Sequence, residues 1–331
     1  MPVKPLVIAI VGAVALGASA CGSSSQPDTL RVGDDAVSTP QGVPPEPTPM
    51  EAFEAVKSEI ATAAAADRAT EQRVDKAIAQ AATDCLARSG VAHDLTTPTS
   101  AVPAYDYPNG TELWTWDQSD FGLATSLENP AVRQSFLDRG ARGSNRNAVP
   151  PEGFQQAYFG PPSEVVTIEA PSGDVVDVLT GGCAAKAVEE VYGATIEDVE
   201  RTRISLLPVL NIHETAIAEA PVAQASKAWQ ACMSDVGFDD LLGPDDVTAP
   251  LGEALTPVLM ENESTAGLAE TESELAQAHV NCLNESFATA EYLAAYTETA
   301  NRLLEKHDAA LSHWQQLRAQ AMKSTDEGIT E

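Results

Sequence analysis

"DCLARSGV" (84–91) and "ACMSDVGF" (231–238) are the two stretches on which the fold turns. Each sets a cysteine before a long apolar residue, three variable positions, a glycine and a second apolar residue. A helix that ends on a left-handed glycine reads this way, with the cysteine in one of its last turns. A leucine and a proline recur beyond each glycine: Leu95 and Pro98, then Leu241 and Pro244. One more cysteine follows each stretch, Cys183 and then Cys282. Spacing alone leaves three pairings of the four open. The internal likeness favours two copies of one unit, in repeat-like halves 75–193 and 221–290. Cys85 is then bonded to Cys183, and Cys232 to Cys282.

The fifth cysteine lies in "GASACGSSS" (17–25). Lys4 is the only charge ahead of it, and Leu6 to Ala20 is uncharged and mostly apolar. That run falls short of the ~20 residues a membrane-spanning helix needs. With Ala18-Ser19-Ala20 before Cys21, residues 1–20 read as a secretory signal. The segment resembles the bacterial lipoprotein signal, in which the cysteine becomes the first residue and carries the lipid. The resemblance implies two or three acyl chains (palmitate-like), where a single chain would anchor only marginally. An ordinary signal cut after Ala20, leaving a free thiol, is the alternative. Residues 21–49 continue through Gly22-Ser23-Ser24-Ser25 to "PQGVPPEPTP" (40–49). Such sequence buries no core and is expected to be a disordered tether with a reach of about 30 Å. In an exported chain the other four cysteines are expected to oxidise in pairs.

Net charge is −30 and aromatic residues make up 5% of the chain. So acidic a chain, without a basic patch, is unsuited to nucleic acid. The fold expected over 50–323 is mainly α, a helical bundle with long terminal helices. From Met50 to Ser89, Val56, Ile60, Ala63, Thr70, Val74, Ala77 and Ala81 step by fours and threes, with Asp67 as a charge in the stripe. Leu293, Tyr296, Ala300, Leu303, His307, Ala310, Trp314, Leu317 and Ala321 repeat the pattern, on a helix expected from Thr271 to about 323. Unbroken, it would run to ~80 Å. The simplest cover for two such stripes is each other, as an antiparallel coiled coil; the alternative is another subunit or protein. Residues 101–180 form an irregular insertion. Within it "EVVTIEAPSGDVVDVL" (164–179) reads as a β-hairpin, and "DRGARGSNRN" (138–147) as a basic loop. Helices are expected after Gly182, from Thr195 until Pro208, and from Pro221. Residues 239–270 read as a connector and 324–331 as a disordered tail.

Four motifs carry a wider resemblance: "WQACMSDVGF" (229–238), "FQQAYFG" (154–160), "GGCAAKAVEEVYG" (181–193) and "SELAQAHVNC" (273–282). With them the chain resembles secreted and lipid-anchored proteins of actinobacteria that have no assigned role. The likeness covers roughly 75–300. It implies a disulfide-stapled extracytoplasmic domain and brings no catalytic residues.

The chemistry on offer is sparse. "HETAI" (213–217) opens like a zinc-protease helix, but Ile217 stands where the second histidine is needed. His279 and Cys282 are spaced as metal ligands, a role that a disulfide at Cys282 forbids. His307 lies on the apolar seam, as a polar register device. No nucleophile elbow or phosphate-cradling loop is present. The acidic pairs 189–190, 239–240 and 245–246 are expected on solvated faces. Trp114 and Trp116, with Asp117 and Asp120, are the candidate ligand-binding residues, a sugar-binding face set against simple core packing of the rings. The expected protein is therefore lipid-anchored at Cys21 on the extracytoplasmic face of the cell membrane. Its expected role is non-catalytic binding or scaffolding of another envelope protein or a cell-wall component, with no cofactor, metal or nucleic acid. Two alternatives remain. One is an enzyme of cell-wall glycan or peptide acting through Trp114, Trp116, Asp117 and Asp120. The other is a solute-binding protein, which calls for more strand–helix alternation than this chain shows.

Overall fold

The computed structural model describes residues 47–64, 68–95, 110–145, 151–261 and 263–328. Cys21, most of the tether, Asp67 and Pro98 lie outside them. Alanine-rich amphipathic stretches favour helix, and the chain is mainly helical. In order the elements are α1 (Pro49–Ala63), α2 (Arg68–Arg88), α3 (Gly110–Leu113), α4 (Leu123–Leu127), α5 (Pro130–Asn145) and α6 (Phe154–Phe159), then the hairpin β1 (Val165–Glu169) and β2 (Val175–Leu179). There follow α7 (Gly182–Tyr192), α8 (Ile196–Ser205), α9 (Leu207–Leu210), α10 (Ile212–Ile217), α11 (Ala220–Asp235), α12 (Leu251–Met260), α13 (Ala266–Glu285), α14 (Ala288–Lys306) and α15 (Asp308–Gly328).

The two quoted stretches end their helices alike. Gly90 (φ +80°) follows α2 and Gly237 (φ +95°) follows α11. The Val91 amide returns to the Leu86 carbonyl at 2.9 Å, and the Phe238 amide to that of Met233 at 2.9 Å. These bonds close a Schellman turn on each helix, with Leu86 and Met233 wholly buried. Even the downstream leucines are tethered in parallel. Thr83 Oγ1 accepts from the Leu95 amide, and Gln230 Nε2 donates to the Leu241 carbonyl, each from two residues before the cysteine.

Beyond the helix ends the two halves diverge. Cys183 sits at the start of α7, Cys282 near the end of α13. The helices joined by Cys85–Cys183 run antiparallel, since Val74 packs with Val191 at their other ends. Those joined by Cys232–Cys282 run parallel, since Trp229 meets His279 and Cys232 meets Cys282 at the same offset. The internal repeat is thus one helix end used twice, not a duplicated fold.

One core gathers α1, α4 and α9–α14 around Trp114, Trp229 and Tyr292. Smaller clusters join α2, α6 and α7 around Cys85–Cys183, and α2, α7, α8 and α15 around Val74 and Leu317. The hairpin pairs Val165 with Leu179 and Glu169 with Val175, turning through Gly173. It sets Ile168 and Val178 on α7 and α8 and leaves Val165 and Val175 exposed.

Both long terminal helices are broken. The first stops at Ala63, with Ala64 as its C-cap, and α2 is described from Arg68. The second becomes α13, α14 and α15, interrupted at Ser286–Phe287 and at His307. Their pairing is parallel, not antiparallel. Phe53 meets Tyr296 (ring centroids 4.9 Å apart), Trp314 Nε1 donates to the Ala64 carbonyl (2.9 Å), and Arg73 lies 3.9 Å from Asp326. Partners rise together along both segments. An apolar stripe specifies which face is covered, whereas direction follows from connectivity, and here no short loop joins the two. The expected basic loop 138–147 is helical as far as Asn145, as the end of α5. The expected connector holds α12 and a short 3-10 turn at Pro244–Asp246. The expected tail continues α15 to Gly328, helped by Thr325, which is buried and donates to the Met322 carbonyl.

Candidate functional site

The four expected cysteines pair as the internal likeness predicts, with Cα separations of 5.5 Å for Cys85–Cys183 and 5.6 Å for Cys232–Cys282. Cys21 lies outside the described residues. The aromatic–acidic candidates divide between core and surface: Trp114 is buried, Trp116 half-buried, and Asp117 and Asp120 exposed. Trp114 is only 2% exposed, stacked on Tyr292 at 5.0 Å, with Nε1 donating to Asp245 Oδ1 at 2.9 Å. Trp116 is half-buried, edge-on to Phe121. Asp117 and Asp120 cap one 3-10 turn. Asp117 Oδ1 accepts from the Ser119 amide, and Asp120 Oδ2 from the Asp117 amide, both at 2.7 Å. The Ser119 hydroxyl and amide hold the Asp117 carboxyl below the usual carboxylate range. Core packing thus takes Trp114 out of any sugar-binding face, while Asp117 and Asp120 remain at the surface. The indole is core, and the carboxylates hold a local turn.

His213 and His279 serve the interior. His213, from the incomplete zinc motif, contacts Asp245 through Nε2 (3.2 Å) and the Tyr292 hydroxyl through Nδ1 (2.9 Å). Asp245 accepts, so Nε2 carries the proton of that bond, and Nδ1 pairs with the Tyr292 hydroxyl. The chain Trp114–Asp245–His213–Tyr292 ties α10 and α14 to the turns at 114 and 245. Tyr292 is fully buried, so its hydroxyl meets no reactant from solvent. Asp245 thus joins distant segments, whereas Asp246 serves a local turn, accepting from the Leu242 amide at 3.0 Å. His279 Nε2 donates to the Leu113 carbonyl at 2.8 Å, and burial lowers its pKa to about 4. Buried Glu272 accepts from the Leu123 and Ala124 amides and so caps α4 from α13. His307 ends α14 rather than continuing a seam. Sequence reading missed these links because partners such as Asp245 and Tyr292 stand far from His213 along the chain.

A different surface is left open. A shallow groove of about 380 Å³ lies between the start of α1 and the junction of α13 with α14. Pro49, Met50, Leu283, Phe287, Ala290 and Leu293 supply its apolar lining. Thr48 fixes its first wall through a capping box with Glu51. Phe287 is 71% exposed at φ +56°, in the left-handed region. That conformation costs a non-glycine residue about 1–2 kcal/mol, and little burial of the ring offsets it here. The parallel register of α11 and α13, carried a turn onward, brings exposed Val236 to the same end. The lining carries no ionised group, but each of its segments adjoins an exposed carboxylate: Glu51, Glu285 and Glu291. An αL aromatic has no local sequence signature, so nothing in "NESFATAE" (284–291) announced it.

No helix among the described residues is long and apolar enough to cross a membrane. Compared with known proteins, the chain matches no family model, no curated protein and no solved structure.

Proposed function

We propose that this is a lipid-anchored protein of the extracytoplasmic face of the cell membrane. It holds another envelope component in the groove at the start of α1 and catalyses no reaction on it. The anchoring part rests on the sequence around Cys21 and on the tether that follows. Oxidation of the four other cysteines in two pairs fits an exported location. The observation that carries the docking part is Phe287, an exposed aromatic in a strained backbone conformation beside an apolar groove. Strain that packing does not repay gathers at binding sites and switches. The enzyme reading would rest on exposed Asp117 and Asp120 and half-buried Trp116 without Trp114, which packs in the core. The solute-binding reading gains none from a single hairpin.

The test is photo-crosslinking in intact cells from position 287, with Val175 on the hairpin as an exposed control. A discrete adduct from 287 that is absent from 175 supports docking at the groove. The same pattern from both positions, or none from 287, overturns it.

A further inference from the structure

The groove also carries information on what it receives, given the docking reading above. We infer that its occupant is a cationic segment of another protein. That segment sets apolar side chains against Phe287 and Leu293 and places lysines or arginines over the surrounding carboxylates. The uncharged lining suits an apolar anchor, and polar contacts belong at its rim. The rim has one sign. Glu51, Glu285 and Glu291 adjoin the lining in sequence, exposed Asp235 ends α11, and exposed Asp239 and Asp240 come next in the chain. No lysine or arginine occurs between Lys227 and Arg302, the span that supplies the second half of α11, all of α12 and α13, and α14 apart from its last turn. Neither Glu285 nor Glu291 has an ion-pair partner among the described residues.

Charge complementarity separates the candidate occupants. A second copy brings a net charge of −30, and its one basic stretch, 138–147, offers no large apolar side chain for the floor. The chain's own tether carries Asp28, Asp34, Asp35 and Glu46 against Arg31 alone. An anionic lipid surface repels the rim carboxylates. A basic segment alone gains at the rim as well as at the floor.

The experiment uses the full chain carrying Cys21→Ser and three fluorescent helical peptides of equal length and apolar face. Their polar faces are lysine, glutamine or glutamate, and binding is read by anisotropy. The leucine–lysine peptide is expected to bind, to weaken at least tenfold with Phe287→Ser and with Glu285→Gln/Glu291→Gln, and to weaken as salt rises. Phe287→Ser leaves the net charge untouched, so equal binding to that variant means diffuse attraction to an acidic surface and overturns the inference. Equal Phe287-dependent binding of the glutamine or glutamate peptide also overturns it, while leaving groove docking intact. So does Phe287-dependent self-association, or binding to anionic phosphatidylglycerol vesicles in place of the lysine peptide. If no peptide binds although position 287 crosslinks in cells, the cationic inference fails and the docking reading stands. Loss of that crosslink is what removes the docking reading.

Discussion

Gly160 and Gly182 meet backbone to backbone where α6 ends and α7 begins. A Cβ on Gly160 would lie 2.6 Å from the Gly182 amide nitrogen, and both residues have positive φ. The motifs "FQQAYFG" and "GGCAAKAVEEVYG" are therefore two sides of one joint, which brings Cys183 to Cys85.

That joint predicts a graded response to alanine. Gly160→Ala or Gly182→Ala forces backbone apart as well as straining φ, and should lower unfolding free energy by about 3 kcal/mol or more. Gly90→Ala strains φ in open space and should cost only about 1–2 kcal/mol. Urea unfolding distinguishes the two cases, and equal effects would contradict the close approach.

The disulfide framework predicts its own map and energetics. Non-reducing peptide mapping should recover Cys85–Cys183 and Cys232–Cys282, and a Cys85–Cys232 peptide would contradict the fold. Replacing either pair with alanines should cost about 2–5 kcal/mol, since each bond closes a long loop in the unfolded chain.

His279 makes the fold acid-sensitive. Its folded pKa is about 4 against an unfolded value of 6.5, because burial disfavours the imidazolium. Between those values the unfolded chain binds a proton that the folded chain refuses. Stability should therefore fall by up to about 3 kcal/mol as pH drops from 6.5 to 4, at 1.36 kcal/mol per unit. Burial raises the pKa of Asp75 and of Glu200, an opposite effect near the lower end of the window. Both groups remain in His279→Gln, which keeps a donor for the Leu113 carbonyl. The difference between the two proteins isolates His279, and superimposable pH profiles would contradict its assignment.

Phe287 should be expendable for stability. Phe287→Gly removes the αL penalty and little buried area, although glycine loses more chain entropy. Unfolding free energy should change by less than about 1 kcal/mol in either direction. A loss of 2 kcal/mol or more would mean that the ring packs, against the exposure described above.

The sequence made the helix ends and the hairpin legible, because each is written locally; the cysteine pairing, across 98 and 50 residues, was read only from the likeness of the two helix ends. Glycine after a cysteine-bearing helix, a capping threonine at 195 and the turn at Gly173 act through near neighbours. Direction and continuity of the terminal helices were not legible. The stripe through Leu293 and Trp314 is the same whether α14 and α15 are one helix or two, and whether α1 runs with or against them. The candidate site followed the same divide. Trp114 and Asp117 looked like a pair in sequence, but they face a core carboxylate and a local turn respectively. The groove joins α1 to α13 and α14 across most of the chain, and Phe287 shows its conformation only in three dimensions.

The most direct test of the account is the yield of crosslinked adduct from a photoreactive residue at position 50, across the groove from 287, in cells whose chain carries Phe287 or Phe287→Gly. The account predicts a discrete adduct with Phe287 and at least a tenfold lower yield with glycine, at equal protein level and membrane association. An undiminished yield with glycine would contradict the claim that this residue holds the partner.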